Sequence, residues 1–255
     1  MQRLKNTTNP EGNNTNILLN CIKVPFGDLG AKTSTNKNLP KMEIKSYNFS
    51  TIKFSDLENL VQIKPVRNDA KFNEWFSFAY KLKPTETKLF KALIDKHIMR
   101  MMSYMEEDLK AKFLIPIFNQ VDFMTDTRND WYDASLSGMV NKVEIKGFTD
   151  YMVASGTREP RKPYFFIQEF KPSIPDRNPE VQLLAEMLVT IEKNQTNIMR
   201  GGYIIGRNWS FVILEKVQEN VFEYFVSSPF DALDLADLKK IYVILQAVKH
   251  KYCKD

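Results

Sequence analysis

The period of the hydrophobic pattern changes along this chain, and the order of the changes limits the folds that it can adopt. Between residues 85 and 114 apolar residues recur at helical spacing, as in Ile94, Ile98 and Met102. From Met139 onward, segments of period two predominate: MVNKVEIKGFTDYMVA and PYFFIQEFK, then, after a helical stretch, GGYIIG, WSFVILEKV and VFEYFVSS. The chain closes with the amphipathic stretch DLADLKKIYVILQAVKHKY. This order predicts an α/β fold in which helices flank a mixed central β-sheet.

Composition divides the 255 residues into three regions. Residues 1–45 are rich in Asn, Thr, Lys and Gly and are predicted to form a poorly ordered tail. Residues 46–84 contain the helix-like pieces SDLENLVQI and NDAKFNEWFSF, so we expect a helical N-terminal extension. Residues 85–255 form the predicted main domain, which opens with one long helix from Thr85 that Pro116 kinks or ends.

The residue content narrows the classes of function. No stretch approaches the ~18 continuous apolar residues of a membrane span, and residues 1–16 lack the apolar segment of a secretory signal, so we expect a cytoplasmic protein without a membrane partner. Two histidines and no CxxC pair leave little material for histidine triads or zinc sites. Catalysis would therefore use carboxylates and lysine. A net charge of +5 permits a polyanionic partner without requiring one.

The strand-like segment FIQEFKP carries an acid and a base two positions apart. Because side chains alternate along a strand, Glu169 and Lys171 share a face. If the preceding strand pairs with this one through the loop SGTREPRKP, Asp150 lies beside Glu169 at ~4.8 Å between strands. Two such carboxylates repel unless a cation lies between them, and Mg²⁺, with Mn²⁺ as substitute, suits that position. The competing interpretation is an exposed cross-strand ion pair.

Two predicted helices offer further polar groups. In the long helix Glu106 borders the apolar stripe while Glu107 faces water, so Glu106 is the better third acid, although the register is uncertain by one residue. In NPEVQLLAEMLVTIEKN, with Asn178 as cap, Gln182 and Glu186 are four apart and share a face. Gln182 lies near the helix N-terminus, the end that favours anions.

Four segments together resemble the PD-(D/E)xK nuclease superfamily, and more narrowly the small bacterial nuclease-like proteins related to the N-terminal nuclease domain of type I restriction enzymes. They are EEDLKAKFLIPIFNQVDF, GFTDYMVASG, YFFIQEFKP and VQLLAEML. The resemblance covers roughly residues 85–250 and implies a restriction-endonuclease-like fold. It also implies a Mg²⁺-dependent endonuclease that hydrolyses phosphodiester bonds, with DNA as the expected substrate.

The same resemblance implies roles for individual residues. Asp150, Glu169 and Glu106 would hold the metal, Lys171 would assist the attacking water, and Gln182 would position metal, water or phosphate. Catalytic residues would thus be Lys171, Glu169, Asp150 and Gln182. A role in restriction, defence or repair follows by analogy with the family alone.

Several alternatives stay open at this point. The family includes inactive members, so the chain could be a nuclease-fold module that binds nucleic acid or a protein partner; formation of a homo-oligomer is also open. Basic residues near the predicted site could contact a phosphate backbone or simply face water, and they are Arg158, Arg161, Lys162 and Arg177. Trp209 and Tyr203 could stack on bases, although burial in the core is the commoner fate of strand aromatics.

Overall fold

The computed structural model describes residues 45–253, so the predicted tail lies outside the described residues apart from Lys45. The strands are β1 (Ser46–Asn48), β2 (Gln62–Pro65), β3 (Arg128–Val140), β4 (Val143–Ser155), β5 (Arg161–Lys171), β6 (Ile198–Ile205), β7 (Asn208–Gln218), β8 (Val221–Val226) and β9 (Phe230–Asp231). The α-helices are α1 (Phe54–Leu60), α2 (Asn73–Phe76), α3 (Pro84–His97), α4 (Glu106–Leu109), α5 (Ile115–Val121), α6 (Pro179–Asn194) and α7 (Leu235–Tyr252).

All these strands join one mixed sheet, which confirms the α/β prediction at that level. The strand order is β1-β4-β5-β6-β7-β8-β2, with β3 also paired to β4 and β9 to β7. β5 and β6 are parallel because α6 connects them as a crossover, while β3–β4, β4–β5, β6–β7 and β7–β8 are antiparallel. The chain between residues 161 and 205 is therefore a βαβ unit inside a largely antiparallel sheet.

Each face of the sheet has its own core. On one face α2, α3, α5 and α7 pack on aromatic strand residues such as Tyr151, Phe170 and Phe211. On the other face α6 and α1 pack on Met152, Ile167 and their neighbours. α6 is buried from Val181 through Ile191 because β3 also contacts it, as where Lys193 Nζ donates to the carbonyl of Ser137. This enclosed helix fixes the position of any polar side chain it carries.

One edge of β4 changes partner along its length. Residues 144–146 pair with β1, whereas residues 151–155 pair with β5. Between these two stretches the backbone from Gly147 to Asp150 has no strand partner on that edge among residues 45–253.

The predicted long helix from residue 85 is wrong as one continuous element. α3 ends at His97, a 3₁₀ turn occupies Met101–Ser103, and α4 begins anew at Glu106. Three acids, Glu106, Glu107 and Asp108, lie in the first turn of α4, where the helix dipole favours negative charge. Met102, which was assigned to the apolar stripe, is 68% exposed because it lies outside regular helix.

Pro116 does not end the helical structure, which was one of the two predicted outcomes. It lies in the first turn of α5, directly after a π-helical turn over Lys110–Leu114, and helical structure continues through it to Val121. Because proline has no N–H, the hydrogen-bond ladder of the preceding turn is interrupted at this position.

Two further stretches differ from the predicted elements. Residues 122–136 lack clear period two, yet the structure forms β3 from Arg128, joined to β4 by Asn141 and Lys142, which both have positive φ as a tight hairpin turn requires. Residues 46–84 contain the expected helices and also two short strands, β1 and β2, within the same compact unit as residues 85–253. Strands of three and four residues are too short to show a period.

The other predicted elements are confirmed: β5 to β8, α6 with its Asn178 cap, and α7. None of the helices in residues 45–253 combines the length and hydrophobicity needed to cross a bilayer.

Candidate active site

The pairing of β4 with β5 brings Asp150 and Glu169 together. The strands are antiparallel with Tyr151 opposite Gln168 and Met152 opposite Ile167, so one further step in this register sets Asp150 opposite Glu169. Asp150 Oδ2 accepts a hydrogen bond of 2.7 Å from the backbone N–H of Phe170. The hairpin that the sequence predicts is thus present, and both carboxylates lie on the α6 face where the β4 edge opens.

Lys171 lies at the centre of three carboxylates. Its Nζ donates to Glu169 Oε1 at 2.7 Å and to the carbonyl of Phe170 at 2.8 Å. The same Nζ is 3.4 Å from Glu106 Oε2 and 3.7 Å from Asp150 Oδ2. Lys171 is only 6% exposed and Glu169 is fully buried. This geometry differs from the solvent-exposed pair of the competing interpretation.

Glu106, and not its neighbour, is the third acid of the cluster. Because α4 begins at residue 106, Glu106 points toward Lys171 and Glu107 points away from it. The side chain of Glu107 is 82% exposed, and its Oε1 lies 3.7 Å from Lys110 Nζ. Glu106 therefore lies in the cluster, and its role as a metal ligand stays a prediction. The reason given for preferring it, an unbroken helix, is wrong.

α6 adds an amide and a carboxyl group. Gln182 Nε2 donates to Glu186 Oε1 at 3.3 Å, one helical turn on. Glu186 is fully buried and lies near enough to Glu169 for the charge of one carboxyl group to raise the pKa of the other. A carboxylate has only acceptor atoms, so such a pair needs a proton or another cation between its oxygens.

Burial and like charge set the protonation of these acids. Burial, the charge of Glu186 and that of Asp150 raise the pKa of Glu169 well above its ordinary range, while Lys171 opposes the shift. Burial and then Asp150 raise the pKa of Glu186 and, to a smaller extent, that of Glu106. Burial disfavours the Lys171 ammonium, but Glu169 and Asp150 outweigh it and keep the pKa of Lys171 above its ordinary value.

The donor set fits a hard divalent cation. Oε2 of Glu169 is buried without a hydrogen-bond partner, and oxygen-only ligands are what Mg²⁺ prefers. As the side chains stand, no group of three or more His, Cys, Asp or Glu within residues 45–253 is arranged around a common metal position. The Lys171 ammonium lies among the carboxylates, so it provides the positive charge there itself.

A cavity of about 370 Å³ opens onto this cluster. Its lining residues come from five parts of the chain and are Asn48, Ser50, Glu106, Phe148, Asp150, Glu169, Lys171, Asp176, Arg177 and Gln182. All five predicted site residues, Asp150, Glu169, Lys171, Gln182 and Glu106, thus line one space. Trp209 does not, since it is buried in the opposite core. Arg158, Arg161 and Lys162 are exposed in or beside the β4–β5 loop.

Sequence reasoning missed three contributors to the site. Glu186 was noted only as a helix neighbour of Gln182, although four apolar residues beside it signalled a buried helix. Phe148, two positions before Asp150, was not singled out. Ser50 lies in a turn whose sequence shows no motif of a functional site, and its carbonyl accepts a hydrogen bond from Arg177 at 2.7 Å.

Comparison with known proteins adds no assignment. No protein-family model matches the sequence, and no curated protein matches it.

Proposed function

We propose that this protein is a metal-dependent nuclease of the PD-(D/E)xK type, with a restriction-endonuclease-like sheet, that hydrolyses phosphodiester bonds in DNA. The observation that carries the proposal is the convergence of Asp150, Glu169 and Glu106 on Lys171 Nζ, within 3.7 Å, in an open cavity. A buried acid cluster with one lysine is costly for stability, which favours a chemical role over a structural one.

Each residue has a role that its contacts allow. Asp150, Glu169 and Glu106 would hold Mg²⁺ or Mn²⁺, which would supply a Lewis acid for the scissile phosphate. Lys171, with its raised pKa, is a fixed positive charge that stabilises the negative charge developing on the phosphate. Gln182 has its Nε2 engaged by Glu186, which orients the amide and leaves its oxygen to accept from a water molecule.

Plasmid cleavage tests the proposal directly. Purified protein is incubated with supercoiled DNA in Mg²⁺, in Mn²⁺ and in EDTA. We expect cleavage only with the metals, and a loss of about 100-fold or more in Asp150→Asn and Lys171→Ala, as for removal of one charge-stabilising group.

Lys216→Ala is the matched control. Lys216 is also a largely buried lysine paired with two glutamates, Glu192 and Glu219, but it does not line the cavity. The Lys216→Ala variant should cleave DNA at a rate within about twofold of the wild type. Cleavage that survives both Asp150→Asn and Lys171→Ala would come from another protein, and a folded wild type that cleaves no DNA would refute the proposal.

One observation favours a second candidate, a nucleic-acid-binding module without turnover. Lys171 already neutralises part of the cluster, so the fold does not depend on a metal there. Such a module would bind DNA with a salt-dependent affinity that EDTA leaves unchanged. Calorimetric titration with Mn²⁺ separates the two, because only the nuclease binds the ion through Asp150 and Glu169.

A further inference from the structure

Phe148 occupies an unusual position for a large aromatic side chain. It is 67% exposed, and within residues 45–253 no other Phe, Tyr or Trp is exposed. A single exposed apolar residue needs no explanation on most surfaces. This one, however, forms part of the wall of the cavity that holds Lys171 and the three acids.

The strand geometry relates Phe148 to the acid cluster. Phe148 and Asp150 are two apart in β4, with Cα atoms roughly 7 Å apart, and both line the cavity. They lie in the segment where the β4 edge has left β1 and has not yet reached β5. The ring therefore faces open space beside the carboxylates instead of a neighbouring strand.

A second groove adjoins the cavity. It has a volume of about 470 Å³ and runs between the turn after β1 and the start of α6. Ser50, Arg177 and Gln182 line both spaces, so the two are neighbours. Arg177 Nη1 donates to the carbonyl of Ser50 at 2.7 Å, and its Nε lies 3.6 Å from Asp176 Oδ2. The side chain is half exposed, and its Nη2 keeps N–H groups for an anion.

We propose that Phe148 stacks on an unpaired nucleobase next to the scissile phosphate, while Arg177 contacts the neighbouring phosphate. The substrate class is then a single strand or an unpaired end, not a continuous duplex. The inference rests on the proposed function in taking nucleic acid as the substrate. An aromatic ring stacks on a base only if one face of that base is free, and in a duplex both faces are covered by neighbouring bases. The cavity volume lies at the low end for one small ligand, which suits one nucleotide.

Binding measured without divalent cations tests the inference separately from cleavage. Fluorescence anisotropy is followed for a labelled single-stranded oligonucleotide and for the same sequence closed as a blunt hairpin duplex. In Phe148→Ala we expect affinity for the single strand to fall about 5- to 150-fold, the usual effect of losing one stacked base, and affinity for the duplex to stay within about twofold. Phe148→Trp should retain the wild-type preference.

Two matched variants complete the experiment. Met139→Ala removes another exposed apolar side chain of the same sheet, outside the cavity, and should change nothing. Arg177→Ala should weaken both ligands and reduce the salt dependence of binding by about one phosphate contact. Thermal melting checks that each variant is folded. Because the Phe148 side chain is exposed, we expect its replacement to leave the fold intact.

Each result has a distinct meaning. Unchanged single-strand binding in Phe148→Ala, or an equal loss for strand and duplex, would overturn the inference even if the wild type cleaves DNA. Phe148-dependent single-strand binding by a wild type that never cleaves would sustain the inference and refute the proposed hydrolysis.

Discussion

Asp150 Oδ2 accepts the backbone N–H of Phe170 at 2.7 Å, so a candidate metal ligand also fills a position in the sheet. Phe170 is fully buried, and β4 offers no carbonyl to its N–H because the two strands diverge beyond Gln168. The side chain of Asp150 thus satisfies a buried donor that would otherwise be unpaired. The remaining oxygen is free to face the cavity.

This dual role predicts different outcomes for two substitutions of Asp150. Asp150→Asn can still accept from Phe170, whereas Asp150→Ala leaves the N–H unsatisfied at a cost of about 1–3 kcal/mol. Both should abolish metal-dependent cleavage, but only Asp150→Ala should markedly lower the free energy of unfolding in urea. Equal stability of the two variants would contradict the structural part of this assignment.

Removal of the central cation should make the fold depend on metal. In Lys171→Met three carboxylates remain without their ammonium, and loss of one partner from a buried ion pair costs about 3–5 kcal/mol. We expect a large fall in melting temperature in EDTA and partial recovery in Mn²⁺, because an ion that binds only the folded state stabilises it.

Lys216→Met is the control for that experiment. Its melting temperature should be insensitive to Mn²⁺, since its partners Glu192 and Glu219 lie outside the cavity. If Mn²⁺ shifts both variants equally, the ion acts elsewhere.

Adjacent glutamates allow a test of the third acid. Glu106→Gln should weaken Mn²⁺ binding at least about tenfold by calorimetry, because Glu106 faces Lys171 in the cavity. Glu107→Gln should leave it unchanged, since Glu107 faces solvent and Lys110 keeps Asp133 as a partner at 2.9 Å. If Glu107→Gln weakened Mn²⁺ binding and Glu106→Gln did not, Glu107 would be the third acid.

The buried acid Glu186 predicts a pH dependence of stability. Its pKa is raised by burial and by Asp150, so the folded protein retains a proton that the unfolded chain has lost above its ordinary pKa of 4.5. Folding then takes up a proton, and stability falls as pH rises above about 4.5.

Substitution removes part of that dependence. Glu186→Gln keeps the acceptor for Gln182 but cannot ionise, so it should melt at a higher temperature than the wild type at pH 8 and at a similar temperature near pH 4.5. Part of the fall in melting temperature with rising pH should persist in this variant, because the pKa of Glu169 is raised too. A slope identical to that of the wild type would show that Glu186 is charged in the folded state.

The parts of the fold that the sequence predicts are those whose local pattern and tertiary role agree. PYFFIQEFK is apolar on both faces and becomes a central strand, and α6 carries its cap and first-turn proline where the pattern places them. Asp150, Glu169 and Lys171 could be related because strand alternation and one hairpin suffice to bring them together.

The rest depends on contacts distant in sequence. The break between His97 and Glu106 interrupts a stretch with helical periodicity, and it is held by Tyr104, whose hydroxyl lies 2.5 Å from His97 Nδ1, and by Ser173, which donates to the carbonyl of Met101. β1 is too short to carry a pattern and forms because β4 offers it an edge. Glu186 gave no local signal of its chemistry, since only the meeting of α6 with β5 sets it beside Glu169.

The partner change on β4 has a practical consequence for handling the protein. Within the described part of the chain, β1 and its two flanking residues, Lys45 and Phe49, shield the early part of that strand, and unshielded strand edges pair readily with other molecules. A shortened chain that starts after Asn48 would bare this edge and aggregate, whereas one that starts at Lys45 would keep it covered. Trimming for crystallisation should therefore stop before residue 46.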